Sequence, residues 1–220
     1  MKTITTLIAM ALLLSAPVAY AQAPQVKLGQ GTAAYQHLLM QVLSKAKQNK
    51  GLEDVYNSVN ELKRLGKMYP AEWLPDYYAA LFEMKLALAG KPEKKDDLLA
   101  DAQERIATLK KNTGANASEV YTLSGYYYYV MIAGNPEENG QKYYKDVLSE
   151  YQKAINLDGK NPRPQLLQAI FNNNMSEFLK KKDDGFCNKL KEIAAMFDAF
   201  VPKSEVDPSW GMNELKSVQK

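Results

Sequence analysis

The sequence predicts an all-helical protein, and three observations carry that expectation. Apolar residues recur at three- and four-residue spacing in eight successive stretches, no stretch alternates as a strand would, and proline or glycine stands at most boundaries between stretches. The first stripe is Tyr35, Leu38, Leu39, Val42, Leu43 and Ala46; the second is Leu52, Val55, Tyr56, Val59, Leu62 and Leu65. A third helix runs over about 75–89, where Pro75 suits a first turn and Gly90 a terminus. Asp96 or Asp97 caps a fourth, with Leu98, Leu99, Ala102, Ile106 and Leu109 on its inner face. The fifth covers 118–133. The sixth carries Tyr144, Val147, Leu148, Tyr151 and Ile155, and Pro164 opens a seventh with Leu166, Leu167, Ile170 and Phe171. Leu190, Ile193, Ala194, Phe197 and Phe200 mark the eighth. Asp207 as cap and Pro208 in a first turn start a short closing helix over about 207–218, which lays Trp210 and Leu215 on the eighth.

The chain begins with Lys2, a mostly apolar stretch from Ile4 to Leu14, and Ala19-Tyr20-Ala21, a small-x-small sequence. That is the pattern of a secretory signal peptide over 1–21, with a flexible segment at 22–32 before the helical domain at 33–220. No cysteine lies near the cleavage position, so the expected product is periplasmic or secreted, without a lipid anchor or stable membrane insertion. The net charge is only +3 and the charges are interspersed, which excludes the basic footprint of a nucleic-acid binder. A single cysteine, Cys187, cannot form an internal disulfide; its spacing to Leu190 and Ala194 predicts a buried, inert thiol.

The helices pair, and the pairs repeat. Residues 71–87 lie over 117–133 with an offset of 46, placing Ala79 where Gly125 sits and Phe82 where Tyr128 sits. A further offset of 44 reaches Ala169. Small residues at such positions let helix axes approach, and Ala154 supplies one on the partner helix, beside Tyr151. This pattern, clearest from Tyr121-x-x-Ser124-Gly125-x-x-Tyr128 through Ala154 to Pro162, resembles the tetratricopeptide repeat family. The resemblance implies a right-handed α-solenoid of about four antiparallel pairs, near 33–70, 71–116, 117–160 and 161–202, plus the closing helix. Insertions at 90–95 and 134–142 depart from the 34-residue family repeat. The stretches Pro70-Ala71-Glu72-Trp73-Leu74-Pro75-Asp76-Tyr77-Tyr78 and Asp207-Pro208-Ser209-Trp210-Gly211 also resemble small exported repeat proteins of Bacteroidetes-type bacteria.

Catalytic motifs are sparse. One histidine, His37, sits off the apolar stripe and is expected in solvent; with a single histidine and a single cysteine in the chain, neither a histidine-based triad nor a typical zinc site can be assembled. Asn135, Glu137, Glu138 and Asn139 crowd a stretch read as a solvated loop, without calcium-loop spacing. No metal or cofactor is expected, and the chain is read as a non-enzyme. In the resembled family one stripe of the first helix of each pair lines a concave groove. The positions here are Asp76 and Glu83 in the second unit, Thr122, Tyr126 and Tyr129 in the third and Asn173 in the fourth. Aromatic rings among amides and carboxylates suit an extended polar ligand. A scaffold for a protein or peptide partner is the first reading and a glycan-binding accessory to outer-membrane uptake the second. An enzyme of unknown class comes third. Packing of Tyr126 and Tyr129 against neighbouring helices stands beside the groove reading.

Overall fold

A computed structural model describes residues 33–48, 51–89, 92–181 and 185–219, so the expected signal peptide and the segment to Thr32 lie outside the described residues. Nine α-helices follow one another among these residues, and no strand occurs. They are α1 (Ala33–Gln48), α2 (Leu52–Met68), α3 (Leu74–Ala89), α4 (Lys95–Leu109) and α5 (Ala117–Gly134). Then come α6 (Pro136–Leu157), α7 (Pro162–Phe178), α8 (Phe186–Ala199) and α9 (Met212–Val218). None of the described helices is long and apolar enough to cross a membrane.

Each helix packs on its successor through α8, and α3, α5 and α7 also touch one another in turn, α3 on α5 and α5 on α7. These three are therefore the inner helices, and their sequences say so. Leu81, Leu123 and Leu166 are essentially fully buried, whereas α6 and α8 carry lysines and glutamates on an outer face. The close approach expected at Gly125 is present. A Cβ there would stand 2.5 Å from both Cδ1 and Cε1 of Tyr151, whose ring is itself wholly buried. Gly125→Leu should therefore overpack the α5–α6 contact and cost about 1–3 kcal/mol. A helix glycine in open space would instead gain nearly 1 kcal/mol of propensity on the same change. Denaturant midpoints for the two proteins give the sign, and a rise for the variant contradicts the close approach.

Several local expectations need correction. The stretch holding Asn135, Glu137, Glu138 and Asn139 is not a loop. Asn135 caps α6 by accepting from the Glu138 amide, Pro136 takes the first turn, and Asn139 turns inward to donate to the Met131 carbonyl at 2.9 Å. Acidic residues in a first turn complement the helix dipole, which explains the crowding of glutamates. Cys187 is exposed: it lies one residue into α8, short of the turn where Leu190 and Ile193 reach the core. The closing helix begins at Met212 rather than near Asp207. Gly211, at φ 115°, turns the chain just before it, so Trp210 precedes the helix and packs on the inner helices instead of on α8. Leu215 does reach the α8 cluster, beside Leu190 and Ile193.

Candidate functional site

Residues 204–214 come back across the inner helices, and two polar contacts hold them there. The Tyr78 hydroxyl donates to the Val206 carbonyl at 2.9 Å, and Trp210 Nε1 donates to the Tyr77 hydroxyl at 2.8 Å. Farther along, Lys85 Nζ meets Glu214 Oε1 at 2.7 Å and lies 5.6 Å from the centre of the Trp210 ring. Between this returning segment and α1, α2 and α3 lies a cleft of about 740 Å³. Met40 and Leu43 line it from α1, Leu52 and Val55 from α2, Tyr78, Leu81 and Phe82 from α3, and Trp210 and Met212 from the segment. Leu52 is 41% exposed, so α2 leaves an apolar side chain in water beside the opening. The charged groups of the cleft are Lys47, Lys85, Glu205 and Glu214. Burial disfavours ionisation of Glu214, but the Lys85 ammonium and backbone hydrogen bonds at Glu214 and Gly211 outweigh it and hold the carboxyl below the usual glutamate range.

The floor beneath Trp210 is a buried polar network. Tyr77 passes its hydroxyl hydrogen to Glu119 Oε2 at 2.7 Å, Asn161 donates to Glu119 Oε1 at 2.7 Å, and Arg163 donates to the same carboxylate from Nε at 2.9 Å and from Nη2 at 2.5 Å. Glu119 and Arg163 are 2% and 1% exposed, so this pair is wholly desolvated. Burial alone would weaken the charge of Arg163; the adjacent Glu119 carboxylate reverses that and raises the guanidinium above its ordinary value. The network thus ties α3, α5 and α7 together and fixes the Tyr77 hydroxyl that accepts from Trp210. It positions one wall of the cleft. A second, more polar cleft of about 1410 Å³ opens at the other end of these helices, with Glu72, Trp73, Arg163, Lys203 and Met196 among its lining residues.

The residues expected to form a groove fall into two separate clusters. Asp76 and Glu83 both pair with Arg105, and Glu83 also meets Lys63 at 3.0 Å. Glu83 has no exposure, and burial raises its carboxyl despite Arg105 and Lys63. It braces α2, α3 and α4 from within and presents nothing to a groove. Thr122 is likewise fully buried, its hydroxyl donating to the Ser118 carbonyl at 2.7 Å. Tyr126 and Tyr129 stack with ring centres 6.2 Å apart, and Tyr129 meets Phe171 edge-on at 6.0 Å. Asn174 rather than Asn173 reaches the Tyr129 hydroxyl, at 3.0 Å, while Asn173 donates to Glu177 on its own helix. His37 is exposed on α1. No group of three or more histidine, cysteine, aspartate or glutamate side chains among the described residues is placed to hold a metal ion.

The cleft walls were missed from sequence because they come from three separate stretches of the chain. One signal was available for the network. The offsets of 46 and 44 that align the inner helices place Trp73, Glu119 and Arg163 at one register position. Side-by-side packing of α5 and α7 then brings the acid and the base together.

The fold is thus an all-helical one whose own C-terminal segment closes over its inner helices. It is similar to the solved structure of the HusA haemophore from Porphyromonas gingivalis, with a TM-score of 0.74 at 19% identity, over 87% of this chain and 93% of that one. No protein-family model matches the sequence, and no curated protein matches it either.

Proposed function

We propose that this chain is a non-catalytic binding protein that holds a planar, largely apolar ligand of the haem type in the cleft between α1–α3 and residues 205–214. The observation that carries this reading is the cleft itself. Its volume of about 740 Å³ lies within the range of small-molecule sites, roughly 300–1,000 Å³, and apolar or aromatic side chains face it from both sides. A flat macrocycle between Phe82 and Tyr78 on one wall and Trp210 and Met212 on the other would bury its faces against rings and thioethers. The likeness to a haemophore supports the same class of ligand. The helix pairs are read as a tetratricopeptide-like stack, on the strength of the buried small residues Ala79, Gly125 and Ala169 in α3, α5 and α7. Ala19-Tyr20-Ala21 supports an exported location.

A protein partner is the second reading, favoured by Phe178 and Leu179, which are 72% and 54% exposed at the end of α7. The glycan reading is disfavoured because Tyr126 and Tyr129 turn one face to each other and pack on the cluster around Val147, Tyr151 and Phe171. The test is titration of haemin into the full chain, followed by its visible absorption. The expected result is saturable binding with one site per chain. Truncation after Val206 removes the wall that holds Trp210 and Met212 and should abolish that binding. Binding unchanged in the truncated chain, at equal helicity, contradicts the assignment to this cleft.

A further inference from the structure

We infer that Lys85 is the anchor for a carboxylate on the ligand, taken over from Glu214 when the ligand enters; this rests on the haem-type reading of the cleft. Lys85 stands on α3 at the opening of an apolar cavity, and its side chain is 38% exposed while that of Glu214 is 29% exposed. The ammonium is therefore reachable from the cleft without unfolding anything. Of the charged groups that face the cavity, Lys47 is exposed on α1, and Glu205 and Glu214 are acidic. Lys85 is the cation next to the aromatic wall, since its Nζ lies 5.6 Å from the Trp210 ring centre. A planar ligand against Trp210 would bring an acidic substituent within reach of that Nζ, and an ammonium with three donors can release one carboxylate as it takes another.

The exchange has a structural consequence. The Lys85–Glu214 pair is a direct polar tie between α3 and α9. A ligand carboxylate that takes Lys85 weakens this tie, so that carboxylate and Glu214 compete for the same ammonium, while Leu215 keeps α9 on the α8 cluster. Ligands without a carboxylate leave the tie intact.

Metal-free mesoporphyrin and its dimethyl ester separate the possibilities, because they differ only in the acidic groups. The unaltered chain should bind the diacid about tenfold more tightly than the diester, as a charge-assisted hydrogen bond of this kind is worth. Lys85→Met should bring the two affinities together, by weakening the diacid about tenfold relative to the diester. Glu214→Gln breaks the same tie but leaves the ammonium free, and should tighten the diacid by about three- to tenfold. The two variants therefore move diacid binding in opposite directions. If loss of the α9 tie alone mattered, both would weaken diacid and diester together, and that result overturns the inference. Equal binding of diacid and diester by the unaltered chain overturns it too, while leaving the cleft assignment standing. Binding of neither porphyrin overturns both.

Discussion

Glu119→Ala is expected to lower the unfolding free energy by about 3–5 kcal/mol, the scale for removing one partner of a buried ion pair. The carboxylate accepts from Tyr77, Asn161 and Arg163 at once. Its loss leaves a guanidinium that is 1% exposed without a counter-charge, and two neutral donors without their acceptor. The double variant Glu119→Ala/Arg163→Met should recover much of the loss, because the uncompensated charge leaves with the arginine. Chemical denaturation of the two variants beside the unaltered chain measures both effects. A loss below about 1 kcal/mol in the single variant would mean that the pair is solvated in solution. The network also holds the Tyr77 hydroxyl that accepts from Trp210, so Glu119→Ala should weaken ligand binding even where the variant remains folded.

The paired change Tyr126→Ala and Tyr129→Ala should cost several kcal/mol, since removing one large ring from a core costs about 3–5 kcal/mol. Burial is the first cause of a raised hydroxyl pKa at Tyr126, and the two rings pack on the cluster around Val147, Tyr151 and Phe171. Were these tyrosines the lining of an open groove, the variant would keep its stability and lose a ligand. Thermal melting decides between the two: a Tm within a few degrees of the unaltered chain restores the groove reading. A large drop assigns both rings to the α5–α6–α7 interface. At about 2–4 °C for each kcal/mol in a chain of this size, the expected drop is well outside measurement error.

Helix positions were legible in the sequence because apolar spacing is a local property. Leu98, Leu99, Ala102, Ile106 and Leu109 are all buried along α4, whereas α7 opens at Pro162 with Asn161 as its cap, two residues before the start read at Pro164. Gly125 was legible because an offset of 46 residues exposed its equivalence to Ala79. At Thr122 and Glu83 a shared helix face does not mean an exposed one. Thr122 and Glu83 do share faces with their register partners, yet neighbouring helices and the ion pairs to Lys63 and Arg105 enclose them. Cys187 shows the same limit at a helix end, where apolar spacing continues into a first turn that nothing covers. The cleft depends on where residues 204–214 return, and that is set by Gly211 at φ 115° and by contacts to Tyr77 and Tyr78 more than 125 positions away. Local periodicity carries no record of such contacts.

The most direct test of the cleft assignment is methionine methyl NMR with a diamagnetic porphyrin, whose ring current shifts nearby methyl groups. Met40 and Met212 line the proposed cleft from opposite walls, whereas Met196 lines the polar cleft at the other end and Met68 is 64% exposed at the end of α2. Titration should move the Met40 and Met212 methyl signals together, saturating at one ligand per chain, and leave Met196 and Met68 in place. Movement of Met196 with Met40 and Met212 unchanged would put the ligand in the other cleft and contradict the account.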